Sequence, residues 1–256
     1  MPSAATENAA RFLVAARRTR RAGDRLPEAA RPVDADAALA IQQRVTELLA
    51  LPIGGWKCSL PARERPVAVA PIYAPTIFAS SPCPIQPIGG KARIEPEIAF
   101  VIGRDLPPRA APYDEAEVRA AIREARLVLE LIGPRYADPA PLSFPEILAD
   151  GINNQGLFVG PPVPSALEHG LDEMPIAIDA GSASLHAVQG RHPDGHPLKP
   201  LVWLASFLGQ RHGGLRANQI VTTGSYCGGV DVPLNIEINV RFGALGVLTV
   251  EFEPLA

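Results

Sequence analysis

The chain has 256 residues, 47% of them hydrophobic, which is enough to fill one large core, or a domain with a smaller N-terminal appendage, without disulfide staples. Its net charge of -3, from 24 basic and 27 acidic residues, is small and interspersed, which argues against a nucleic-acid surface or a polybasic membrane face and points to a small-molecule or protein partner. Cys58, Cys83 and Cys227 lack metal-ligand spacing, no apolar run approaches the roughly 18 residues of a membrane span, and the N-terminal arginines follow the short Phe12-Leu13-Val14 run where a signal peptide's charges would precede it. A soluble protein of a reducing, cytoplasmic compartment is expected. The 28 prolines are spread among apolar runs, which predicts a turn-dense fold. Lysine occurs only at 57, 91 and 199, which draws attention to Lys57.

The N-terminal section reads as helical. An alanine-rich stretch from Ser3 to about Arg20 is broken at Gly23-Asp24 and Pro27. A second helix, capped by Asp34 or Asp36, carries Leu39, Val45, Leu48 and Leu49 as its stripe, until Pro52-Ile53-Gly54-Gly55 ends it. Residues 1–53 are accordingly read as a helical section and 54–256 as a β-rich domain. Trp56-Lys57-Cys58-Ser59-Leu60 is a short strand behind two glycines that let the backbone approach a neighbour closely. Its lysine is either a strand-end residue that snorkels to water or a functional group. Residues 61 to 92 read as proline-rich and irregular.

The strand Arg93-Ile94-Glu95-Pro96-Glu97-Ile98-Ala99-Phe100-Val101 places two acids two residues apart. Alternation puts Glu95, Glu97, Ala99 and Val101 on one face, and Ile94, Pro96, Ile98 and Phe100 on the other. Two carboxylates about 7 Å apart along a strand raise each other's pKa unless a cation sits between them. The alternative is an edge strand with a solvated acidic face, which Pro96 would suit. Asp114 and Glu117 then form a capping-box pattern for a helix running to about Arg126. The strand after it, 126–133, carries Glu130 in an otherwise aliphatic run, which calls for a metal or an arginine such as Arg135 as partner.

Residues 134–149 read as a connection with a short helix near Pro145 to Leu148. Asp150-Gly151-Ile152-Asn153-Asn154-Gln155-Gly156 follows as a polar turn. Beyond it the pattern is mostly β: Leu157 to Val159, Ile176 to Ile178, a turn-rich stretch at Gly190 to Gly195, and Ile220 to Ser225 running into a glycine turn. One helix interrupts at about Pro200 to His212, and a hairpin runs through Ile236 to Phe242 and back through Leu248 to Phe252. No P-loop, dinucleotide fingerprint or nucleophile elbow is found, which disfavours a serine hydrolase. His169, His186, His192, His196 and His212 lack helical metal spacing and read as surface or turn residues.

In this order, Gly55-Trp56-Lys57, Arg93-Ile94-Glu95-Pro96-Glu97-Ile98-Ala99, lone Glu130 ahead of Arg135, Ala149-Asp150 with Asn154, Gly156-Leu157-Phe158-Val159-Gly160, Val202-Trp203-Leu204-Ala205 and Thr223-Gly224-Ser225 resemble the fumarylacetoacetate hydrolase family. Within it the chain resembles the 2-keto-4-pentenoate hydratases and 4-oxalocrotonate decarboxylases, from roughly Gly54 to the C-terminus. The resemblance implies an α+β fold, a mixed β-sandwich or roll with a helical N-terminal section. It implies Mg²⁺ or Mn²⁺ on Glu95, Glu97 and Glu130, a homo-oligomer, and a small 2-oxo or enol acid of aromatic degradation as substrate. Lys57 would stabilise charge or shuttle a proton, with a pKa that falls near a metal, and Asp150 and Asn154 would orient it or a water. Thr223, Gly224, Ser225 and Arg135 are the implied substrate contacts.

Hydratases of this branch carry an acid between the lysine and the acidic strand. Here that stretch is Ala70-Pro71-Ile72-Tyr73-Ala74-Pro75, with none. The family's hydrolases carry a histidine upstream of the metal strand, and this chain has none there. The expectation is a metal-dependent lyase, a hydratase first and a decarboxylase next, with a 2-oxo acid tautomerase, or a degenerate member that binds a 2-oxo acid or a protein partner without turnover, as alternatives.

Overall fold

The structure is a computed structural model describing residues 2–164, 166–168, 170–211 and 213–255. His169 and His212, read above as surface or turn residues, lie outside the described residues. The chain opens with two helices packed on each other, α1 (Ala4–Thr19) and α2 (Ala35–Leu49). Ser3 and Asp34 cap them, each side chain accepting a backbone N–H of the first turn. Then follow β1 (Ile53–Ser59), β2 (Ala68–Tyr73), β3 (Ile77–Phe78), β4 (Cys83–Ile85) and the long β5 (Ala92–Ile102). Next come α3 (Glu115–Arg119), β6 (Ile122–Ile132), α4 (Phe144–Ala149), β7 (Asn154–Val163), β8 (Glu173–Ala180) and β9 (Ala183–Arg191). The chain ends with α5 (Leu198–Arg211), β10 (Ile220–Thr222), β11 (Val230–Val232), β12 (Glu237–Phe242) and β13 (Gly246–Pro254).

The strands form two mixed sheets. The larger runs β2-β1-β10-β5-β6-β7-β3, with β11 also on β5, and the smaller runs β4-β13-β12-β8-β9. Their facing sides share one core, in which Ile98, Phe100, Leu127 and Leu129 of the large sheet meet Ile176, Val240, Val250 and Phe252 of the small one, with Leu201, Leu204 and Leu208 of α5. The far side of the large sheet carries a separate apolar group, Ile72, Ala99, Val101, Val128, Leu157 and Ile220. Beyond it stands a third cluster, built from α1, α2 and α4 with Tyr136. The expected α+β architecture with N-terminal helices is what the chain adopts. The face split on β5 holds as well: Ile94, Ile98 and Phe100 enter the shared core, Ala99 and Val101 the opposite group.

Several sequence expectations give way. Residues 61–92 are not irregular throughout. They supply β2, β3 and β4, and Pro71 is tolerated because β2 is the edge of its sheet, next to β1 only. The capping box of Asp114 and Glu117 is present, yet α3 stops at Arg119. From Ile122 onward the chain pairs with β5 across its whole length, and that ladder outweighs the short helical pattern. The strand β9 went unread because its residues are mostly exposed and show no apolar alternation. Pro96 does not mark an edge. β11 covers β5 at 92–94 and β10 covers it at 99–101, so a gap opens between them. The Pro96 carbonyl accepts from Tyr226 N (3.2 Å) on that side, so the missing N–H also faces the gap and costs no ladder bond.

Candidate active site

The gap in β5 is where the acids sit. Glu95 and Glu130 are direct cross-strand partners in the β5–β6 register, and Glu97 is one residue pair further along the same face. Carboxylate oxygens of Glu95, Glu97 and Glu130 lie within 4.8 Å of one another. From the other side β1 contributes Lys57, whose neighbours Trp56 and Cys58 point into the shared core and so turn the lysine to the acidic face. Gly55 is required for this placement, since a Cβ there would stand 2.3 Å from the Ile220 carbonyl oxygen of β10. Lys57 Nζ sits 2.5 Å from Glu130 Oε1 and donates to the Ile152 carbonyl at 3.2 Å.

The electrostatics follow from burial and crowding. Burial, then Glu130 and Glu95, push the Glu97 carboxyl up to about 8. Burial and Glu130 raise Glu95 in the same way. Burial disfavours the Lys57 ammonium, but Glu130 and Glu95 more than offset it and hold its pKa above the ordinary value. Three acids surround one base in this arrangement, whereas the fall expected from the sequence is that of a lysine desolvated beside a bound metal. Glu97 also accepts from the Thr222 hydroxyl and from Gly224 N (2.8 Å), and Asn154 Nδ2 donates to Glu130 Oε1 (2.8 Å). These bonds fix oxygens that all converge on one point. Fully ionised, three carboxylates against one ammonium would leave a negative excess of two, and an all-oxygen donor set of this kind fits a hard divalent cation such as Mg²⁺ or Mn²⁺.

The cavity over this cluster is about 440 Å³ and is lined by Lys57, the three glutamates, Thr222, Gly224 and Ser225, with Arg65 and Asp194. The structure thus brings together Lys57, Glu95, Glu97, Glu130, Gly224 and Ser225 of the sequence-derived set, with Asn154 behind Glu130. It does not bring in the other three. Thr223 follows the end of β10 and is fully buried, with its hydroxyl 3.3 Å from His192 Nε2. The threonine at the cavity is Thr222, one residue earlier and therefore on the acidic face. Arg135 is not the partner of Glu130 and lines a different cavity. Its Nε and backbone N hold the buried Asp150 carboxylate at 2.5 and 3.0 Å. Asp150 is therefore committed to arginine and touches neither Lys57 nor the cavity, but it anchors the loop whose Ile152 carbonyl receives Lys57.

Two groups escaped the sequence reading. Asp194 comes from the turn between β9 and α5, and its Oδ2 accepts the Leu60 backbone N–H (2.9 Å). It puts a carboxylate at the cavity wall, whereas Ala70, in the stretch where an acid was looked for, is buried and acid-free opposite Lys57 in the β1–β2 register. His192 was read as a surface or turn residue; it starts that turn but is only 4% exposed, with burial first and then His196 holding its pKa down at about 4. Neither was legible, because only the tertiary path of the 190–195 turn shows which side chains face inward.

No family model matches the chain. Among curated proteins it is 29% identical over 170 residues to a 2-keto-4-pentenoate hydratase of Paraburkholderia xenovorans, a match covering 63% of this chain and 59% of that protein. It is 26% identical over 164 residues to a 4-oxalocrotonate decarboxylase of a Pseudomonas species, covering 61% and 59%. The chain thus matches under two thirds of the length of these relatives. Among solved structures, 4-oxalocrotonate decarboxylase from Pseudomonas putida G7, complexed with calcium and acetate, superposes with a TM-score of 0.76 at 20% identity over 97% of both chains. A yeast fumarylacetoacetate hydrolase family protein superposes with a TM-score of 0.55 at 15% identity, over 78% of this chain and 93% of that one. The chain has the fumarylacetoacetate hydrolase family fold. The resemblance read from its motifs to the hydratase and decarboxylase branch of that family stands, and the three glutamates cluster on that fold's large sheet.

Proposed function

We propose that the chain is a divalent-metal-dependent lyase acting on a small unsaturated 2-oxo acid of aromatic degradation, of the 2-keto-4-pentenoate hydratase type. The observation that carries this reading is the convergence of Glu95, Glu97 and Glu130 beside a buried lysine in one cavity. Mg²⁺ or Mn²⁺ on the three glutamates would supply the Lewis acidity that holds a 2-oxo carboxylate and spreads the charge of its enolate. Lys57 stands where it can donate a proton toward the 2-oxygen side of the substrate and counter the charge left there. Gly224 N is spent on Glu97, and the Ser225 hydroxyl, which donates to the Pro96 and Gly228 carbonyls at 3.3 and 3.2 Å, would turn from them to donate to the substrate carboxylate. Asp194 takes the role of the acid missing from 70–75: it removes a proton from water as water adds to the conjugated bond. Asn154 and Asp150 position Glu130 and Lys57 and do not meet the substrate. The chain acts as a homo-oligomer in this reading.

A second reading, decarboxylation of an unsaturated 2-oxo dioic acid, is favoured by Arg65. This guanidinium lines the same cavity, and no ion pair engages it among the described residues, so it suits a second carboxylate. One ultraviolet assay separates the two. With Mg²⁺-loaded protein, 2-hydroxypenta-2,4-dienoate should lose its diene absorbance, and Lys57→Ala should slow this by about 10² to 10⁴. Carbon dioxide released from 2-oxohex-3-enedioate instead would establish the second reading. Silence with both substrates, despite Mg²⁺ binding, would leave a non-catalytic 2-oxo-acid binder.

A further inference from the structure

We propose that a second cavity, between the C-terminal end of α1 and the start of β3, is a binding site for a small organic anion, distinct from the catalytic cavity. It measures about 360 Å³ and shares no lining residue with the catalytic cavity. Arg17, Arg18, Arg20 and Arg135 line it, and no acidic residue does among the described residues. Leu49, Tyr73 and Phe78 add apolar surface to the same lining, with the Arg17 guanidinium 5.8 Å from the Tyr73 ring centroid. Four arginines and apolar side chains in one cavity suit a carboxylate with an apolar body, because arginine presents paired N–H donors to a carboxylate.

The charge balance around the cavity points the same way. Two of its arginines, Arg17 and Arg135, reach the same Asp150, at 3.8 and 2.5 Å, so one buried carboxylate faces two guanidiniums. Arg17 Nε is buried with no hydrogen-bond partner, and Arg135 engages Asp150 through Nε and Nη2, which leaves Nη1. Burial and the nearby Arg135 charge lower the Arg17 pKa to about 10, the response of a cation short of counter-charge. Arg18 and Arg20, both exposed, add positive charge and have no acidic partner among the described residues; Arg18 Nη2 donates only to the Leu48 carbonyl (2.9 Å). An anion in the cavity completes the pairing that Asp150 alone leaves short.

Occupancy would also bear on the catalytic loop. Arg17 Nη2 donates to the Asp150 carbonyl (2.8 Å), and the loop that leaves Asp150 carries the Ile152 carbonyl to Lys57 and Asn154 to Glu130. The cavity thus sits one hydrogen-bonded step behind the groups that orient the catalytic lysine and one glutamate.

The test uses the full chain with chelator, so that no metal can hold the probe, and again with Mg²⁺. Sodium benzoate at ten times its dissociation constant should raise Tm by about 3 °C and give a saturable heat of binding, while neutral benzamide should do neither. The double variant Arg18→Gln/Arg20→Asn changes two exposed side chains, and asparagine tolerates the left-handed backbone of Arg20 (φ 57°). It should lose benzoate affinity at least tenfold and bind Mg²⁺ as before. Absence of benzoate binding, equal binding of benzamide, or undiminished binding by the double variant would each overturn the proposal.

Discussion

Parity along a strand decides which side chains reach the acidic cavity. Glu95 and Glu97 could be assigned to one face from their spacing alone, and Glu130 from its isolation in an aliphatic run, because each conclusion needs only local alternation and the cost of a buried charge. Thr222 and Thr223 could not be separated that way. The strand ending at Thr222 is three residues long, and its phase is set by pairing with β1 and β5, so which of the two threonines meets the cavity is not readable from the motif. Asp194 and Arg65 reach the cavity from turns, and no periodicity announces a turn residue's direction. Their roles separate kinetically. Asp194→Asn removes the proposed base but keeps an oxygen to accept Leu60 N, so the fold is retained and kcat for dienoate hydration should fall about 10² or more with KM little changed. An equal loss in both constants, or none, would remove Asp194 from the reaction. Arg65→Gln should raise KM for a dioic acid and leave that for the pentadienoate within about twofold.

At the scale of elements, the N-terminal helices hold the floor of the site in place. The short helix α4 leads into the loop that serves Lys57 and Glu130, and its Glu146 is fully buried. Burial alone would raise this carboxyl. Arg25 at 2.7 and 2.8 Å and the Ser143 donors outweigh it, so the folded pKa lies near 2 against an ordinary 4.5. A carboxyl lowered on folding adds stability that is complete above the unfolded value and is lost as pH falls through the window from about 4.5 to about 2. Glu146→Gln keeps the shape but leaves Arg25 without its counter-charge, so it should cost about 1–3 kcal/mol at pH 7 and flatten the stability curve over that acid window. Urea unfolding from pH 7 down to pH 3 reads both. The caps of α1 and α2 and the final hairpin were legible because cap residues and period-two runs act locally. α3 and β6 were misdivided, since the strand that shortens the helix gains its advantage from β5, a partner that local sequence does not name.

At the scale of the molecule, the site is a concentrated liability within an otherwise well-satisfied fold. Two sheets and α5 bury one continuous apolar core, while on the far face of the large sheet three carboxylates share a space with one ammonium. Repulsion there opposes folding whenever no divalent cation is bound, so metal binding and folding stability are linked. Mg²⁺ should raise Tm in proportion to the logarithm of its concentration above Kd, and a chelator should reverse the rise. Glu97→Gln distinguishes this from a general salt effect. The amide oxygen can still accept from Thr222 and Gly224, and a buried carboxyl that must either take up a proton or repel its neighbours is gone, so the variant should be at least as stable as the parent in chelator. It should also lose the Mg²⁺-dependent rise in Tm and the lyase activity together. A variant that is less stable without metal, or one that keeps the full response to Mg²⁺, would show that Glu97 serves the fold and not the ion, and would move the cation away from this triad.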